Sequence, residues 1–168
     1  MAYSATNGRI GSQPIANTAA TAAHPLGTIL CATDPTYGEG EFIYLVGVAA
    51  TTIGSAVTWN FTTHQTALLP ATAATGAPVA ISMSANLAAG FGWYQIKGVA
   101  VFAKTVVSGI TDIDGAAVYI SATAGLLGAS VTSGTQIIGA QTANLATVAT
   151  ATTTGTVVID RPAVQSVA

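Results

Sequence analysis

Few residues in this chain carry side chains able to do chemistry, and their spacing argues against most of it. His24 and His64 are its two histidines, and neither has a Cys, Asp or Glu at ligand spacing. A zinc site needs three or four ligands, which the single cysteine, Cys31, cannot complete. One cysteine also leaves no intrachain disulfide. His24 precedes Pro25 and His64 lies in the polar stretch FTTHQT, so both read as solvated or hydrogen-bonded loop histidines. No nucleophile, base and orienting group stand at a spacing that would assemble a triad. Asp112-Ile113-Asp114-Gly115 opens like a calcium loop, but Thr123 stands where an EF-hand needs its last glutamate. It reads better as a turn into a strand. Glu39 and Glu41 could pair as catalytic carboxylates. With no basic or aromatic substrate platform nearby, they read instead as gatekeepers of the apolar strand that follows. Asn60-Phe61-Thr62 fits the glycosylation sequon only formally, and Gly38 and Gly40 lack the Lys and helix start of a phosphate loop. The expectation is a protein that is not an enzyme, with no catalytic residue, cofactor or metal.

The elements that must position these residues follow from composition and period. A chain of 168 residues is one domain, or one domain plus an arm. Only 6% of it is charged, against about 25% in ordinary soluble domains. Half is hydrophobic, yet aromatics make up 7% and Ala and Thr together fill 60 positions. A net charge of −2 with four basic residues does not support phosphate neutralisation, so no nucleic-acid partner is expected. Disorder would need the reverse balance of charge and hydrophobicity. Gly, Thr, Ser or Gln interrupts every apolar run before the roughly 20 residues of a membrane helix, so no membrane partner is expected. The first 20 residues hold no hydrophobic leader, which points to synthesis in the cytoplasm. A surface this poor in charge promotes association.

Residues 1–24 are small and polar without periodicity and read as an extended N-terminal arm; residues 25–168 read as a β-rich body. In the body, Val57, Trp59 and Phe61 alternate with Thr58 and Asn60. Val79, Ile81 and Met83 alternate with Ala80, Ser82 and Ser84. Tyr94, Ile96, Ala100 and Phe102 share a face opposite Gln95 and Lys97, and Val118 and Ile120 oppose Tyr119 and Ser121. All have period two. The run Glu41–Val48 is apolar on both faces, as a strand covered on both sides requires. The prediction is an all-β, compact antiparallel β-sandwich or small β-barrel. Residues 67–88 also align without gaps on 125–146, with eight of 22 positions identical. Gly54–Val57 matches Gly115–Val118, and Gly92–Ile96 has a counterpart in Gly155–Ile159. This pattern predicts two pseudo-repeated three-stranded halves.

Asp34-Pro35-Thr36-Tyr37-Gly38-Glu39-Gly40-Glu41-Phe42-Ile43-Tyr44-Leu45, followed by Gly47-Val48-Ala49, resembles a family of tailed-bacteriophage capsid decoration, or cement, proteins. The resemblance continues through Val79–Asn86 and Gly92–Ile96 and ends near Arg161-Pro162. It implies a β-rich virion protein on the outer surface of an icosahedral head, which it reinforces. The implied partners are the major capsid protein and neighbouring copies of itself. The family supplies no catalytic residues to carry over. Composition fits independently: scarce charge makes contacts insensitive to salt, and symmetry-repeated weak contacts add through avidity. Ile10, Pro14 and Ile15 in the arm, and Pro35, Tyr37 and Glu39 in the 33–41 loop, are the expected interface residues. A second reading is a receptor- or glycan-binding module of a tail or fibre, which exposed Trp59 or Trp93 would favour. A hydrolase would require His24 or His64 beside a carboxylate and a hydroxyl. A major capsid protein fits less well, because the chain is short for a shell subunit.

Overall fold

The computed structural model describes residues 4–5, 12–71, 76–103, 114–128, 135–145 and 153–166. Among them the chain is all-β, with twelve strands: β1 (Ser4–Ala5), β2 (Thr18–Ala19), β3 (Ile29–Asp34), β4 (Gly38–Val46), β5 (Ala56–Trp59), β6 (Thr66–Leu68), β7 (Val79–Ser82), β8 (Phe91–Ala103), β9 (Asp114–Ile120), β10 (Leu127–Gly128), β11 (Gln136–Ala143) and β12 (Thr154–Val164). Every pairing between them is antiparallel, and the sheet curls into a half-barrel.

The long strand β8 organises the whole. Gln95 pairs with Phe42 on one side and Ile81 on the other, while Lys97 pairs with Glu41 and Asp160. Opposite β4, therefore, β8 takes β2 at its start, then β7, and β12 along its second half. The change from β7 to β12 falls at a bulge. Gly98 has φ +97, and a Cβ there would lie 2.4 Å from the Glu39 carbonyl oxygen, so glycine is required. Gln95 Nε2 donates to the Lys97 and Val99 carbonyls at 3.1 and 3.0 Å across the same bulge. That corrects the expected polar face of β8: Gln95 is fully buried, its amide bonded to the backbone of the bulge.

The internal repeat recurs in the pairing. β5 pairs with β6 and β7, and β7 pairs with β8; β9 pairs with β10 and β11, and β11 with β12. Each half has the three strands expected from sequence plus a short outer one, and the halves join where β8 meets β12. Branched residues such as Val118, Ile120, Ile137, Val157 and Ile159 point inward and enclose the largest apolar cluster with Ala100 and Phe102.

Over Phe42–Leu45 strand β4 is covered on both faces, as its apolar run requires. Ile43 and Leu45 pack with Val57, Ala80, Tyr94 and Ile96. Phe42 and Tyr44 face the other way, with Leu30, Met83, Trp93 and Ile15. Ile15 belongs to the segment read as an arm, and residues 12–24 fold back over their own sheet. Trp93 Nε1 donates to the Gln13 carbonyl at 3.1 Å, and Tyr44 Oη donates to Gln13 Oε1 at 2.9 Å. The Ala23 N–H donates to Tyr44 Oη at 3.2 Å, and β2 pairs with β8. These contacts give Tyr and Trp polar tips the partners that burial demands. Trp59 and Phe61 depart from the expected alternation. β5 ends at Trp59 because Asn60 Oδ1 accepts from the Thr62 and Thr63 N–H groups at 2.8 and 2.9 Å, turning the chain and carrying Phe61 out to 72% exposure.

Candidate interaction face

One face of the sheet carries three adjacent rows of side chains, two residues apart along β8 and β12. The first row crosses four strands, with Cys31, Glu41, Lys97 and Asp160 in register from β3 to β12. The second runs Val99, Val158, Gln141 and Ala117 from β8 to β9. The third pairs Val101 with Thr156. Alternation turns Ala100, Phe102, Val157 and Ile159 into the core and leaves these residues outside. At about 4.8 Å per strand the face spans roughly 24 Å from β9 to β3.

Among the described residues, charge on this face gathers at one end, with Asp114, in register with Ala143, standing apart at the other. Glu41 bridges Lys97 at 3.7 Å and Arg161 at 2.5 Å, and Asp160 stands opposite Lys97 in register. Half of the ten charged residues in the chain, Glu39, Glu41, Lys97, Asp160 and Arg161, gather here. Beyond them the surface is mostly Val, Ala, Thr and Gln, with Ile138 and Leu145 exposed among them. Three shallow depressions of about 480, 390 and 380 Å3 indent it, the last two meeting at Val158. The first is roofed by Thr36 and Tyr37 of the β3–β4 turn and flanked by Leu145, which is 95% exposed. Asp34 Oδ1 accepts from the Thr36 and Tyr37 N–H groups at 2.8 and 3.0 Å, which fixes that turn above Val99 and Val101.

The structure therefore brings together part of the expected set. Tyr37 and Glu39 border the depressions, and Pro35 is exposed in the same turn. Pro14 is exposed, but Ile15 is 7% exposed and forms part of the chain's own core on the opposite side of β4. Ile10 lies outside the described residues, as do Asp112 and Ile113. The Val99–Val158–Gln141–Ala117 row was missed from sequence. Its one signal was the outward half of each strand's alternation, which in an Ala- and Thr-rich chain looks like ordinary surface.

The histidines lie apart. His24 Nε2 accepts from the Gln13 N–H at 3.1 Å, and its ring sits 5.2 Å from Tyr44 and 5.3 Å from Trp93. His64 lies in the turn after β5, and a Cβ on Gly27 would come within 2.5 Å of its Nε2. No three His, Cys, Asp or Glu side chains converge among the described residues. Burial pushes the Tyr94 phenol up, against the opposing hydrogen bonds of Thr66 and Asn86. It is a core residue. Compared with models of known protein families, the chain matches none. No curated protein sequence matches it either.

Proposed function

We propose that this protein is a capsid decoration protein of a tailed phage, bound to the outside of the head through the open sheet face and the 34–37 turn. The observation that carries the reading is the charge-poor row of Val99, Val158, Gln141 and Ala117, bordered by Tyr37. Such a face is too broad and shallow for a small molecule, whose sites are concave and enclosing. It suits another protein surface, because small side chains lose little entropy on contact and permit close backbone approach. The charged row at one end supplies register, and the apolar rows supply area that salt does not screen. Bridging adjacent capsid subunits, each copy raises the free energy of separating them, and many copies add through avidity.

The resemblance in residues 34–49, 79–86 and 92–96 supports the same reading. The test is cosedimentation of the full-length protein with DNA-emptied, expanded heads of the phage that encodes it, followed by heating of the loaded heads. Saturable binding at a fixed ratio to capsid subunits, with disruption moved to higher temperature, is the expected result. Absence of binding to every head form overturns the proposal.

A further inference from the structure

A groove of about 380 Å3 lies at the other end of the same side of the molecule, beyond the charged row. Its floor is apolar, with Ile29 and Ile43 paired across β3 and β4. Trp59 and Phe61 form one wall, their rings 6.2 Å apart at 70°, and His64 and Arg161 stand at the margin. We infer that this groove binds a neutral saccharide, with Trp59 and Phe61 stacking on the C–H face of a sugar ring and His64 and Arg161 meeting its hydroxyls.

Four observations carry the inference. The aromatic wall is preassembled. Asn60 accepts from Thr62 and Thr63, and the His64 N–H donates to the Asn60 carbonyl at 2.9 Å, so the turn holds an outward phenylalanine in place. With Trp59, Ile29 and Ile43 the exposed ring completes a contiguous apolar patch, and such patches mark contact sites. Backbone strain gathers here too. Of the four non-glycine residues with positive φ among the described residues, two, His64 at 56° and Arg161 at 45°, are the groove's polar members. Residues held in that region cluster at ligand clamps. The volume falls within the range of small-molecule sites. Charge selects the ligand class: among the described residues Arg161 is the groove's one charged lining residue, and it is already paired at 2.5 Å with Glu41, which Lys97 shares at 3.7 Å. An anion would have to displace Glu41, whereas a polyol can bond to the pair as it stands.

The protein carries its own reporter, since Trp93 is buried and Trp59 borders the groove. Full-length protein is titrated with hexameric gluco-, manno- and galacto-oligosaccharides and N-acetylglucosamine oligomers to about 10 mM, followed by tryptophan fluorescence and saturation-transfer NMR. Saturable binding to at least one probe is expected, with Kd on the order of 0.1–1 mM and ring C–H protons receiving the transfer. Phe61→Ala weakens it at least tenfold, Phe61→Tyr restores it, and both leave the melting temperature unchanged. Binding to none of the four probes overturns the assignment, as does binding that Phe61→Ala leaves intact. The measurement uses no heads, so its failure is distinct from failure of the decoration reading.

Discussion

Replacing Ile15 by alanine tests whether the N-terminal segment belongs to the fold. Ile15 is 93% removed from solvent, packed against Leu30, Phe42, Tyr44 and Trp93 by a segment whose Gln13 bonds Tyr44 and Trp93. The substitution deletes three carbons, about 2.4 kcal/mol at ~0.8 kcal/mol per buried methylene. Large-to-small core changes range over about 2–5 kcal/mol. Because the segment is a surface layer that can settle into the gap, the loss belongs at the low end, about 2–3 kcal/mol. For a chain of this size each kcal/mol moves the melting temperature by about 2–4 °C, so a drop of about 4–12 °C is expected. Calorimetry reads the drop, and tryptophan emission shifts to the red as Trp93 loses its cover. A melting temperature within about 1 °C of the parent refutes the packing argument. A drop that depends on protein concentration would instead place Ile15 on a neighbouring copy.

Gly98→Ala puts a methyl group 2.4 Å from the Glu39 carbonyl at φ +97 and is expected to destabilise by at least about 2 kcal/mol, read by urea unfolding. Tyr94 gives a pH dependence. Its folded pKa is raised above the ordinary value of 10.0, so above pH 10 the unfolded state loses the proton first. Stability is therefore level with respect to this group below pH 10 and falls above it, by up to about 1.4 kcal/mol per pH unit. Tyr94→Phe removes that part of the alkaline slope in a denaturant series, and an unchanged slope contradicts it. Glu41→Gln breaks both ion pairs, yet Lys97 and Arg161 are half-exposed, so the melting temperature is expected to move by no more than about 3 °C.

Much of the fold was legible because β periodicity was strong where side chains are large. The run Glu41–Val48 predicted a strand covered on both faces, and the structure supplies the two covers over Phe42–Leu45. The repeated Leu-Leu and Ala-Asn-Leu-Ala segments anticipated two halves of like pairing. Three features were not legible. Small residues in 12–24 carry no period, so their packing on Trp93 and Tyr44 had no signal beyond the need of two large aromatics for cover. Gln95 looked like an outward residue because nothing in the sequence announced that β8 would change partners beside it. Phe61 continued an alternation that Asn60 ends through its side chain. The interaction face was read only at its border, from Pro35, Tyr37 and Glu39, since an outward Val or Thr is informative only once its neighbours across the sheet are known.

The most direct test of the central claim places a charge in the middle of the open face. Val158 lies outward in β12, in register with Val99 and Gln141, so Val158→Lys leaves the core intact. Cosedimentation with expanded heads is compared for the two proteins at low and high salt. The parent is expected to saturate the heads at one ratio in both salts. Burying the lysine in the contact costs about 3 kcal/mol, which weakens Val158→Lys roughly a hundredfold at an unchanged melting temperature. Equal binding of both proteins contradicts docking through this face.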